Sequence, residues 1–225
     1  MTKGWHFKGS AIQVGQIGHG RQTNSIDSHS GMHAMLDKAH IAVKGGFRQL
    51  LTLPDGTQWS SAGRANTNDQ VPFVMKIDVS STQGIGLGTT GWAKLMDINH
   101  AGGASVWSVD GDANGNMIVS YEGCSGYNES ASEQTGCINY LTKLLDTDGS
   151  EVWKNPIPVG LSSCRVVTGG SFFCGWTMTS GTVDFGNSVT VASVASTVGI
   201  VKFNNDGVAQ WAKSTASTCA RALPH

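Results

Sequence analysis

The stretch Gly199-Ile-Val-Lys-Phe-Asn-Asn-Asp-Gly-Val-Ala-Gln-Trp-Ala-Lys213 carries the deciding pattern of this 225-residue chain. An apolar strand ends in Lys, a polar turn contains Gly, and a Trp follows with Lys close behind. The same order recurs in Tyr140-Leu-Thr-Lys-Leu-Leu-Asp-Thr-Asp-Gly-Ser-Glu-Val-Trp-Lys154. It recurs again, with an insertion, as Phe73-Val-Met-Lys-Ile-Asp78 and Gly91-Trp-Ala-Lys94. In the last two copies Asp146 or Asn204 precedes Gly149 or Gly207 by three residues, and Trp153 or Trp211 follows four later. The middle copy has one extra residue between Lys143 and Asp146, which implies a bulge or a local shift.

Working outward, the front half of each copy also matches. Ala34 to Phe47, Val106 to Gly123 and Arg165 to Gly175 each read as apolar strand, polar or glycine turn, second apolar strand. Asn114-Gly115 and Gly169-Gly170 suit hairpin turns because they tolerate positive φ. Third strands fit Leu51 to Gly56 and Thr182 to Asn187. Each copy then offers about four strands in hairpin order, the make-up of a propeller blade. Trp92, Trp153 and Trp211 are 61 and 58 residues apart, roomy for such a unit. A non-repetitive β-sandwich, with Gly and Trp recurring by chance, is the competing fold. Trp5 is a further anchor candidate.

The repeat predicts an all-β chain: a partial β-propeller of about three four-stranded antiparallel blades whose ring is not closed. The expected division is an incomplete preceding blade or irregular segment at 1–32, blades at 33–97, 98–156 and 157–214, and the start of another at 215–225. Ser217-Thr218-Cys219 resembles Ser162-Ser163-Cys164, so a truncated further repeat and more blades of the same polypeptide are expected. Glycine permits the sharp turn, and a large indole fills the wedge between neighbouring sheets. Trp92, Trp153 and Trp211, with Gly91, Gly149 and Gly207, are therefore read as structural anchors. Trp59, Trp107 and Trp176 lie outside the kernel and are the better candidates for ligand stacking.

At these residues the chain resembles bacterial β-propeller repeat proteins, through Asp110 to Gly123 and Lys202 to Trp211. Asp146 to Trp153 also resembles the tryptophan-docking motif of quinoprotein propellers. The likeness spans roughly residues 33 to 214 and implies a fold far more than a function.

Composition narrows the function classes. Net charge is −1, and no basic stripe is present to displace counterions from phosphates, so nucleic acid is not an expected partner. No segment is long and apolar enough for a membrane span. The N-terminal MTKGWHFKGS lacks the apolar core of a secretory signal. Among five cysteines, Cys164 and Cys174 flank a hairpin, and Cys124 and Cys137 bracket a polar loop. Both pairs are read as disulfides, with Cys219 left over, and they point to an oxidising, extracellular or cell-surface setting. Asn128-Glu129-Ser130 is a glycosylation sequon in the same loop.

Candidate chemistry is sparse. Asp110, Asp112 and Asn114 begin like a calcium loop, but Ile118 and Tyr121 occupy later ligand positions. Calcium is the one cofactor considered, and a plain hairpin turn is the competing reading. His29 and His33 have the spacing of a helical metal pair, with His19 and His40 nearby, although Gly31 disfavours a helix. Gly84 to Gly88 is glycine-rich without the context of a phosphate loop. No nucleophile elbow or acid–base pair stands out. A non-catalytic scaffold binding protein or glycan through blade loops is therefore expected. The alternative is a fragment of a propeller enzyme, quinoprotein-like or carbohydrate-active, with its site shared among missing blades.

Overall fold

The structure, a computed structural model, describes residues 33–35, 40–47, 50–53, 57–60, 71–78, 89–96, 104–128, 133–178, 180–193 and 196–216. They form an all-β, antiparallel fold. The first sheet contains β1 (His33–Met35), β2 (His40–Phe47), β5 (Val71–Asp78) and β6 (Thr89–Leu95), side by side in that order. Between β2 and β5, β3 (Leu50–Thr52) and β4 (Gln58–Ser60) pair as a separate hairpin. The second sheet is a meander of β7 (Ala104–Gly111), β8 (Met117–Asn128), β9 (Glu133–Leu144) and β10 (Glu151–Ile157). The third contains β11 (Leu161–Val166), β12 (Phe172–Met178), β15 (Thr197–Phe203) and β16 (Ala209–Ala216). Its side hairpin is β13 (Gly181–Asp184) with β14 (Thr190–Ser193). None of the sheets closes into a barrel.

The first strands of successive sheets lie together: β7 packs against β1 and β2 on one side and against β11 on the other. The three sheets stack as consecutive blades of an open, partial propeller. Residues alternate faces along each strand, so a sheet packed on both sides buries side chains at successive positions. The middle sheet shows this. Met117, Val119 and Tyr121 face the first sheet, where they meet Ala42, Val74 and Trp92. Ile118 and Leu141 face the third, where they meet Phe172, Trp176, Val201 and Phe203. On the far face of the first sheet, Ile41, Val43, Phe73, Met75 and Ile77 cluster with Leu53 and Trp59 at the β3–β4 hairpin.

Two expectations need correction. Third strands are expected at Leu51 to Gly56 and Thr182 to Asn187; the described part of the first, 51–53, and the whole of the second are not third blade strands, because β5 and β15 already fill those places. Leu51 and Thr52, and Thr182 to Asp184, belong to the side hairpins, and among the described residues the middle sheet has no such hairpin. The extra residue of the middle copy is also placed differently. The kernel Lys and Trp are directly opposite each other in every copy: Lys76 and Trp92, Lys143 and Trp153, Lys202 and Trp211. Just before each Trp the register slips by one residue, at Gly91, Val152 and Gln210. The bulge is thus common to all three copies. The odd residue lies in the turn, which is closed by Leu145 N–H donating to the Ser150 carbonyl in one case and Asn204 N–H to the Val208 carbonyl in the other. The five-residue turn makes Asn205, rather than Asn204, the counterpart of Asp146.

Gly91 therefore differs from the two turn glycines. Gly149 and Gly207 have φ of +69° and +73°. A Cβ on Gly149 would fall 2.6 Å from the Trp92 ring, and one on Gly207 would fall 2.8 Å from the Trp153 ring. At Gly91 it would meet Lys76 only at an ordinary 3.5 Å. We expect Gly149→Ala and Gly207→Ala each to cost about 2 kcal/mol or more in urea unfolding, through left-handed strain and the ring contact. Gly91→Ala is expected to cost under about 1 kcal/mol.

Candidate functional site

Polar side chains between the sheets repeat one arrangement. Trp92 Nε1–H donates to the Asp146 carbonyl at 2.7 Å, and Trp153 Nε1–H donates to the Asn205 carbonyl at 3.1 Å. The Lys76 ammonium donates to the Asp146 carboxylate, and Lys143 Nζ donates to Asn205 Oδ1 at 2.7 Å. Two residues after each Trp, Lys94 Nζ reaches the Gly149 carbonyl at 3.2 Å and Asn155 Nδ2 reaches the Gly207 carbonyl at 3.4 Å. The first and second sheets thus each grip the last turn of the next with three donors. The corresponding residues on the third sheet are Lys202, Trp211 and Lys213. Trp211 is 38% exposed, and Val198 and Ile200 on the same face are exposed too.

The loop considered for calcium is occupied by protein groups. Asp112 is buried. Its Oδ1 accepts from the Asn114 and Asn116 amides at 2.8 and 3.0 Å. Its Oδ2 pairs with Lys143 Nζ at 2.8 Å. Burial pushes the Asp112 carboxyl up, and the bonds from Lys143, Asn116 and Asn114 outweigh it, leaving it below the ordinary range. Asp110 aims elsewhere: its Oδ2 accepts the Val166 amide of the third sheet at 2.8 Å. Asn114 is exposed at the turn tip. Asp110 serves as a cross-sheet acceptor, and Asp112 as a turn clamp and counter-charge.

The expected cysteine pairs are both present. Cys124 and Cys137 lie opposite one another on β8 and β9, and Cys164 joins Cys174 between β11 and β12. Two disulfides indicate an oxidising compartment. Among the described residues, Glu122, Cys124 and Cys137 are the one group of three metal-capable side chains, with ligand atoms within 4.8 Å. Both sulfurs are held in the disulfide, so this is not a thiolate metal centre. Asn128 ends β8. Among the described residues no helix is long and apolar enough to cross a membrane.

The three tryptophans considered for ligand stacking part company. Trp176 is fully buried in the core, which removes it as a platform. Trp59 is half-buried, with its ring edge against Phe73 at 6.5 Å. Trp107 is 41% exposed. It is the extra residue of a bulge, since Val106 is opposite Tyr121 and Ser108 is opposite Ser120. Bulges re-aim side chains. Lys44 fixes this one by donating to the Val106 and Trp107 carbonyls at 2.7 and 2.8 Å. Burial lowers the Lys44 pKa. The indole edge and the Asn139 side-chain oxygen both lie beside Gly160. That oxygen is buried without a hydrogen-bond partner among the described residues.

The sequence gives no sign of Lys44 or of the donor after each Trp, because Lys94 and Asn155 share function without sharing type. His33 begins a strand rather than lying on a helix. His40, on β2, is half-buried. Trp5, His19, His29, Gly84 to Gly88 and Cys219 lie outside the described residues. A scan against protein-family models finds no match, and a search of curated proteins finds no relative.

Asp112→Asn is expected to destabilise the chain by about 2 kcal/mol at neutral pH, as the charge-assisted bond from Lys143 weakens. Because the Asp112 carboxyl is depressed in the folded state, its contribution is complete above the unfolded-state value. It is lost as pH falls through the folded one. The stability gap between parent and variant, read from urea titrations, is expected to close below about pH 4.

Proposed function

We propose that the chain is part of a non-catalytic β-propeller repeat scaffold, akin to bacterial propeller repeat proteins, that works outside the cell or on its surface. It binds a protein or glycan through the loops and inner edge of its sheets. The observation carrying this reading is Trp107, an exposed indole on a first strand, set on a bulge that a buried lysine fixes. An indole held in this way offers a flat apolar face with an N–H at its edge, suited to stacking on a sugar ring or a side chain. The inter-sheet polar groups, by contrast, are engaged with one another and serve packing. In the same reading, Lys202, Trp211 and Lys213 receive a further sheet of the same design, and Asn128 carries a glycan.

A glycan array probed with the chain and with Trp107→Ala tests the binding role. Binding that falls at least about tenfold in the variant, with unchanged unfolding behaviour, is the expected outcome. Stoichiometric quinone or turnover of a bound glycan in the protein would instead make it an enzyme.

A further inference from the structure

The two disulfides differ in their surroundings. Cys164 and Cys174 are both fully buried. In the other pair Cys124 is fully buried, whereas Cys137 is an exposed residue. Glu122 sits two positions before Cys124, on the same face of β8. Its Oε1 lies 3.7 Å from Cys124 Sγ. Thiol–disulfide exchange begins with a thiolate attacking the accessible sulfur and expelling the other. The difference in exposure therefore decides which sulfur is attacked and which leaves.

We propose that Cys137 is a covalent modification site for small thiols, with Cys124 as the leaving sulfur and Glu122 as its proton donor. The incoming thiolate forms a bond to Cys137 Sγ as the Cys124–Cys137 bond breaks. The electron pair of the broken bond stays on Cys124 Sγ. The Glu122 carboxyl passes its proton to that sulfur. The products are a mixed disulfide on Cys137, a Cys124 thiol and a Glu122 carboxylate, which solvent reprotonates. The small thiol is oxidised to the disulfide level and Cys124 is reduced, so no further oxidant is needed.

The surroundings of Glu122 favour this role. Burial pushes its carboxyl above the ordinary value, so the proton is kept to higher pH. The positions opposite it, Ser105 on β7 and Asn139 on β9, do not titrate. On β11, which packs against β8, Arg165 is paired with Asp110 at 3.9 Å. Once ionised, Glu122 has no proton to give and its charge opposes an approaching thiolate. Both effects slow exchange as pH rises through its pKa.

The test uses the full chain carrying Cys219→Ser, with reduced glutathione as the probe. Samples are quenched with iodoacetamide and mapped by peptide mass between about pH 4 and pH 8. The expected adduct is on Cys137 alone, with Cys164–Cys174 intact. The rate constant per glutathione thiolate is expected to fall about tenfold or more as Glu122 ionises. Glu122→Gln is expected to give the same adduct with a flat profile. An adduct on Cys124, or equal reaction at Cys164–Cys174, overturns the proposal. So does a flat profile in the parent, a measurement that needs no Glu122 variant.

Discussion

An indole N–H drawn out of water between two sheets needs an acceptor, and for Trp92 and Trp153 the acceptor is a backbone carbonyl on the neighbouring sheet. That bond places the ring over a turn glycine, where no side chain would fit. The rest of the inter-sheet geometry depends on this contact. It sets how closely the outer strands approach the next turn, and it lets the lysine opposite each Trp reach the same turn. The two interfaces solve the charge problem differently. Lys76 meets a carboxylate across the gap, at Asp146. Lys143 meets only the neutral amide of Asn205, and its counter-charge comes from Asp112 within its own sheet. A buried ammonium without a carboxylate nearby would be costly. The acid has moved, and the balance is kept.

The inner edge is held by a second set of bonds. Ser108 Oγ accepts the Cys164 amide at 2.8 Å, and Asp110 accepts the Val166 amide. Lys44 holds the corresponding edge of the first pair of sheets. Apolar packing fills the space between these two polar seams. Wide aromatic contacts, such as Phe172 with Trp153 and Phe203, take up the third sheet's share. The middle sheet is buried on both faces, with Met117, Ile118 and Val119 all fully buried in succession.

Much of this was legible in the sequence because it rests on residues with few substitutes. A large ring and a left-handed turn select Trp and Gly almost uniquely, so Trp92, Trp153, Gly149 and Gly207 mark the repeat. Disulfides require paired cysteines at hairpin spacing, and both pairs could be named. The side hairpins resemble blade strands in sequence because an apolar strand followed by a glycine turn looks the same in either place. Position in a sheet depends on partners far along the chain. Asn204 matches Asp146 by spacing to the Gly and Trp because a turn can gain a residue without altering the strands it joins. The bulge at Trp107 left no trace because register is a property of two strands, and Lys44 acts through backbone carbonyls that carry no sequence signal. Asp110 and Asp112 look like partners by spacing, yet Asp110 lies on β7 and accepts from the Val166 amide, while Asp112 lies in the turn and is held by the Asn114 and Asn116 amides and Lys143.

The three donors, a Lys on one strand with the Trp opposite it and the residue two beyond that Trp, all face forward, toward the turn of the succeeding sheet. The contact has no mirror relation: a giver on one side, a taker on the other. A series joined in this manner has a head and a tail, as a heterologous interface must. A sheet inserted back to front would set ammonium against ammonium and leave the indole N–H without an oxygen. The chain can therefore wind in a single rotational sense, with the same rule applied at every step.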